Sequence, residues 1–141
     1  HGSIRRQRQM CIRDRNMFIC PSHASQILAL SAFDCKDELD HHLAVYAANR
    51  ILLMDGLVAA GLSKYAPPDG AFYIYVDVSD YTDDARAFAA EILNQVDVAV
   101  TPGLDFDPVN GHKWLRLSYA GATTDIVQGV VRLQAFMKDR I

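Results

Sequence analysis

The chain has 141 residues, half of them apolar, with 14 basic and 17 acidic residues and a formal net charge of −3. That length suits one domain with a real core, and no apolar run approaches the ~18 residues that a membrane-spanning helix needs. Of three cysteines, Cys11 lies in a basic opening stretch unlike the rest, and the other two, Cys20 and Cys35, have no metal-ligand spacing and fit a reducing cytosol better than a disulfide scaffold.

The first fifteen residues, HGSIRRQRQMCIRDR, clash with everything after them. They hold five arginines and one acid. A basic tail normally suggests a nucleic-acid arm or a targeting segment. Here Arg5–Asp14 reads as a translated transposon sequencing adapter: CGT-CGG-CAG-CGT-CAG-ATG-TGT-ATA-AGA-GAC gives RRQRQMCIRD, and the trailing AG opens a codon for Arg15. Residues 1–15 are therefore expected to be a non-native, disordered tail on a fragment of a longer protein. Setting aside the five arginines and Asp14 leaves nine basic and sixteen acidic residues, a net of −7. That acidity argues against nucleic acid or an anionic membrane as partner.

Asn16–Cys20 is a short apolar run before Pro21, a strand end or connector. Ser22 or its neighbours can cap a helix from about Ala24 to Phe33. His23 reads as a loop histidine. Asp34–Gly61 is the longest helix candidate, with Leu39, Leu43, Tyr46, Leu53 and Leu57 at helical spacing and Gly61 as its stop. Its acidic first turn suits the helix dipole. His41 and His42 point about 100° apart on a helix, so they do not form a metal-ligand pair. Arg50 is expected to reach solvent or an acid.

Pro67, Pro68, Asp69 and Gly70 mark a turn. Ala71–Val78 follows as a strand with Phe72, Ile74, Val76 and Val78 on an apolar face and Tyr73, Tyr75 and Asp77 on the other. Tyr81–Asn94 is an amphipathic helix capped near Thr82, with Ala85, Phe88, Ala89, Ile92 and Leu93 in its stripe. Val98–Thr101 is a short strand stopped by Pro102-Gly103. A polar loop over Leu104–Lys113 leads to a strand, Trp114–Ala120. Leu115, Leu117 and Tyr119 share its inner face, and Trp114, Arg116 and Ser118 share its outer one. A last helix runs from Thr123 to about Lys138, with Ile126, Val130, Leu133 and Met137 inward.

Arg116 is the anomaly. A permanent cation in mid-strand is costly unless it snorkels, pairs with an acid or meets an anionic ligand. Asp77 is the available acid on the same face. The outer face, with Tyr73, Tyr75 and Trp114, has no cover within the chain, and an exposed apolar patch is expected there.

Several motifs combine at this point. They are Val98–Val100 before Pro102-Gly103, Phe106 beyond the turn, Trp114-Leu115-Arg116-Leu117-Ser118-Tyr119-Ala120, the upstream Asp69-Gly70-Ala71-Phe72-Tyr73, and Ser25-Gln26 opening a helix. Together they resemble the C-terminal segment of the fold-type I, pyridoxal-phosphate-dependent class I/II aminotransferases, from about Asn16 to the end. The resemblance implies an α+β fold, a three-stranded, mainly antiparallel sheet with helices on one face and a long connecting helix. It implies a large-domain remnant or connector over 16–34 and a C-terminal small domain over 35–141.

It also implies amino-group transfer between an α-amino acid and a 2-oxo acid in a homodimeric parent, with Arg116 gripping the substrate α-carboxylate and Ser25 near the cofactor pocket. The pyridoxal 5'-phosphate Schiff base needs a lysine in a matching motif. Lys36, Lys64, Lys113 and Lys138 read as surface residues, so no catalytic residue is assigned and the fragment alone is expected to be inactive. A stand-alone small-molecule-binding or regulatory module derived from this fold is the alternative.

Overall fold

The computed structural model describes residues 21–138 and 140. The adapter-like tail and the Asn16–Cys20 run lie outside them. The chain forms two compact units divided between Asp40 and His41.

Two helical elements open the described chain. Helix α1 is His23–Ser31, and a short 3-10 turn follows at Ala32–Asp34. Ser22 Oγ caps α1 by accepting the Ser25 N–H at 3.2 Å, and Gln26 donates its side-chain amide to the Pro21 carbonyl. Both contacts satisfy groups that a helix start leaves orphaned or exposed. Helix α2 spans Lys36–Ala59 with Asp37 and Glu38 in its first turn. It ends where Gly61 takes φ 78°, the left-handed conformation that glycine adopts without penalty. The Leu62 N–H returns to the Leu57 carbonyl at 2.8 Å and the Gly61 N–H to Val58 at 3.0 Å. This is a Schellman stop, placed where the sequence predicts one.

The unit from His41 onward is an α+β layer. Strands β1 (Tyr73–Asp77), β2 (Thr101–Pro102) and β3 (Trp114–Ser118) form an antiparallel sheet in the order β1-β3-β2. Helix α3 is Ala85–Val96 and helix α4 is Thr123–Lys138. Residues Lys64–Ala66 run along the outer edge of β1, through Ala66 N–H to Tyr75 and Asp77 N–H to Lys64. The most central strand is therefore β3.

Pairing sets Ile74 opposite Leu117 and Val76 opposite Leu115. These four are buried together with Leu53 and Leu57 of α2, Phe88 and Ile92 of α3, and Leu133 and Met137 of α4. One face of the sheet thus packs against α3, α4 and the part of α2 around Leu53 and Leu57, as the alternation predicts. Asn49, fully buried on α2, donates its amide to the carbonyls of Tyr119 at 3.2 Å and Gly121 at 3.0 Å. The chain leaving β3 is tied to the long helix through the Asn49 amide nitrogen, while the amide oxygen has no partner among the described residues.

Several expectations are corrected. Phe72 is 49% exposed, because the strand begins one residue later, after Ala71 at φ 60°. Leu39 and Leu43 are exposed, and burial along α2 sets in at Tyr46 and Asn49. Helix α3 starts at Ala85 rather than Tyr81. Asp84 is its cap, accepting the N–H groups of Arg86 and Ala87 at 3.1 Å, while Thr82 Oγ1 accepts from Asp84 in the turn before it. Leu93 lies on the exposed side of that helix, and Phe136, absent from the predicted stripe of α4, is buried against Phe88. Of Val98–Thr101, only Thr101 is paired, together with Pro102. Arg50 donates to the Pro68 carbonyl at 3.0 Å instead of an acid.

Gly56 of α2 lies directly against Val130 of α4. A Cβ there would lie 2.4 Å from Val130 Cγ1. Alanine favours helix over glycine by about 1 kcal/mol, but overpacking a core costs about 1–3 kcal/mol. Gly56→Ala is expected to lower the denaturation midpoint, and Val130→Ala in the same chain to recover part of the loss. Additive effects in that double-mutant cycle would contradict this packing.

Candidate functional site

Antiparallel register brings the outer-face residues together. Arg116 in β3 lies opposite Tyr75 of β1 on one side and Thr101 of β2 on the other, and Ser118 lies opposite Tyr73. Asp77 lies opposite Trp114, one pair further along, and its carboxylate accepts the Ser79 N–H at 2.8 Å. The expected alternative, an Arg116–Asp77 ion pair, is not formed. Among the described residues no carboxylate stands within salt-bridge distance of Arg116.

Aromatic rings take the place of an acid. The Arg116 guanidinium carbon lies 4.4 Å from the Phe106 ring centre and 5.4 Å from that of Tyr73. Both are within cation–π range. The Arg116 Nε is buried and, among the described residues, has no hydrogen-bond partner. Tyr75 and Trp114 stack beside it, with ring centres 4.8 Å apart and planes 8° from parallel.

The loop between β2 and β3 covers part of this face, contrary to the expectation that nothing in the chain does. Two short 3-10 turns, Gly103–Asp105 and Gly111–Lys113, bracket it. Asp107 holds it together. Its backbone N–H donates to the Gly103 carbonyl at 2.8 Å and its carbonyl accepts from Gly111 at 3.0 Å. Its side chain accepts the N–H groups of Val109 at 2.9 Å and Asn110 at 3.1 Å. The two glycines are required by close approach. A Cβ on Gly111 would fall 2.4 Å from the Gly103 backbone, and one on Gly103 would fall 2.3 Å from the Tyr75 hydroxyl. The turn therefore seats directly on the Tyr75–Trp114 stack and carries Phe106 over Arg116.

Electrostatics follow from this seating. Burial, and then the charge of Asp107, push the Tyr75 hydroxyl above its ordinary pKa of 10.0. The N–H groups of Asn110 and Val109 hold the Asp107 carboxyl below its ordinary 3.8. Bonding to the charged form lowers a carboxyl's pKa.

Chemically, the arrangement is a guanidinium whose charge is solvated by rings and whose N–H groups are not spent on a protein carboxylate. Such a fork suits a planar anion. The described residues do not make a cofactor cradle. Lys36 pairs with Asp40, Lys64 with Asp80 and Lys113 with Asp83, all at the surface, and Lys138 is exposed at the end of α4. None offers a buried amine for a Schiff base. Ser25 lies on the exposed first turn of α1, and His41 and His42 are exposed with ring centres 6.0 Å apart. A separate cavity of about 350 Å³ lies between Val98–Val100 and α4 and holds no predicted site residue. The aromatic contacts of Arg116 and the Tyr75–Trp114 stack are absent from the sequence expectations. Their signal was the shared outer face, which alternation does reveal.

The family model described as aminotransferase class I and II matches residues 6–132. The valine–pyruvate aminotransferase of Mycobacterium tuberculosis is 46% identical over 124 residues, which are 86% of this chain and 32% of that protein. Among solved structures, a Silicibacter pomeroyi protein assigned to the aminotransferases superposes with a TM-score of 0.83 at 59% identity, covering 94% of this chain and 36% of that one. A Mycobacterium tuberculosis aminotransferase superposes with a TM-score of 0.81 at 44% identity, covering 92% and 34%. The chain thus spans about a third of the length of the relatives it matches.

Asp107's contribution to the loop is present above the carboxyl's unfolded pKa and is lost as pH falls through its depressed folded value. Trp114, the single tryptophan, reports the loop. Its emission in this chain is expected to shift on acidification below about pH 4, and Asp107→Ala should show the shifted emission already at neutral pH. Superimposable acid titrations of the two proteins would refute the assignment.

Proposed function

Since this chain belongs to the class I and II aminotransferase family, we propose that it is part of an enzyme that moves an amino group between an α-amino acid and a 2-oxo acid, and that Arg116 holds the α-carboxylate of both. The single observation that carries this reading is the Arg116 fork: a mid-strand guanidinium with a buried, unpartnered Nε and no carboxylate neighbour among the described residues. In water an exposed ion pair contributes little, but a carboxylate gripped by a half-buried, fixed guanidinium makes two parallel charge-assisted bonds. Two bonds fix both position and plane. That orients the substrate's Cα bonds for reaction, a contribution that lysine's point charge does not make.

The family's general cofactor is pyridoxal 5'-phosphate, which acts as an electron sink for bond breaking at Cα. We assign it to the whole protein, with its lysine in the portion of the relatives' length that this chain does not span. Residues of this chain, on this reading, bind and orient the substrate, and the chain alone is inactive. The assembly is proposed to be a cytoplasmic homodimer. The described residues contain no helix long and apolar enough to cross a membrane. The first substrate pair to assay is L-valine with pyruvate, because the M. tuberculosis relative at 46% identity is named for that reaction.

In the whole enzyme, Arg116→Lys is expected to raise KM for L-valine and for pyruvate by roughly tenfold to a hundredfold, equivalent to about 1.4–2.8 kcal/mol. Arg116→Gln should cost more, since it removes the charge as well. Unchanged KM values for both substrates in both variants would refute the role of Arg116.

A further inference from the structure

We propose that Phe106 and Tyr73 are positioning residues for Arg116, holding its charge in place without consuming the donors that bind substrate; the inference rests on the carboxylate-binding reading of Arg116.

An arginine stem has many rotamers, and a fork that wanders does not preorganise a ligand. Proteins commonly fix a buried guanidinium with a carboxylate. Such a partner would here occupy the N–H groups and cancel the charge, competing directly with the substrate. The Phe106 ring has no hydrogen-bond acceptor of its own beyond its π face. It attracts the cation through the ring quadrupole. At 4.4 Å it lies over the guanidinium carbon, and Tyr73 stands 5.4 Å away on the same cation. The cation stays whole and Nε stays unpartnered.

The placement of Phe106 has its own machinery. The residue is 54% exposed, so core burial does not hold it there. It is carried by the turn that Gly103, Asp107 and Gly111 fold onto Tyr75 and Trp114. Phe106 also donates its backbone N–H to the Gly103 carbonyl at 2.9 Å. The loop that follows β2 therefore serves to present a ring to Arg116, and Tyr73 meets the same group from β1.

The test separates the ring's electronic role from mere filling of space. In the whole enzyme, KM and kcat are measured with L-valine and pyruvate for Phe106→Leu, Phe106→Trp, Tyr73→Leu and Arg116→Gln. Phe106→Leu keeps an apolar side chain of similar size and loses the quadrupole. It is expected to raise KM about threefold to tenfold with a smaller change in kcat, and Phe106→Trp to stay near the parent value. Tyr73, further away, should show a smaller rise when changed to Leu. If Arg116→Gln weakens substrate use but Phe106→Leu and Tyr73→Leu behave as the parent, the positioning role is wrong and the carboxylate site stands. If Phe106→Trp is as impaired as Phe106→Leu, the ring only fills space and the inference is overturned. If Arg116→Gln leaves KM unchanged, the carboxylate reading fails and takes this inference with it.

Discussion

The structure turns on a charge placed in the middle strand of a sheet. Strand β3 has neighbours on both edges, and one of its faces is closed by helices. Arg116 is therefore confined to the remaining face, where desolvation makes an uncompensated cation expensive. Everything on that face answers this cost. Tyr73 and Phe106 supply ring faces, Tyr75 and Trp114 stack alongside, and no acid approaches among the described residues. An arrangement that bears a charge without neutralising it is a poor way to gain stability, because a buried cation is best tolerated when paired. It is a good way to keep a binding group available.

The loop after β2 shows how much backbone geometry is devoted to that end. Gly103 and Gly111 approach so closely that any side chain would collide with backbone or with the Tyr75 hydroxyl. Asp107 then uses one carboxylate oxygen to collect two backbone N–H groups, closing the turn from within. The same carboxylate faces Tyr75 closely enough to disfavour its ionisation. Loop, stack and ring contacts form one connected unit, so a change at Asp107 is felt at Trp114 as well as locally.

Much of this was legible in the sequence. Alternation in Ala71–Val78 and Trp114–Ala120 assigned Ile74, Val76, Leu115, Leu117 and Tyr119 to the core face, and all five are buried. Helical spacing picked out Leu53, Leu57, Phe88, Ile92, Leu133 and Met137 in the same way. The isolated arginine stood out as a candidate, and the structure seats Phe106 and Tyr73 against it. What failed were statements about ends and neighbours. Periodicity tells which way a side chain points, but not whether anything lies across from it, so Leu39 and Leu43 keep the spacing and are exposed. A polar loop with two acids gives no sign that one of them will organise it, or that its one phenylalanine will fold back over a cation ten residues further on. Asp77 lay on the right face and still does not meet Arg116, because register sets it opposite Trp114 and its carboxylate is taken by a local turn. These are long-range facts, fixed by strand pairing rather than by local pattern.

The most direct test of the central claim is a crystal structure of the whole protein with a non-reacting carboxylate analogue of the proposed amino-acid substrate bound. The account predicts both carboxylate oxygens at about 2.7–2.9 Å from two nitrogens of Arg116, with Phe106 still over the guanidinium. A carboxylate held elsewhere, with Arg116 paired instead to an acidic side chain of the enzyme, would contradict it.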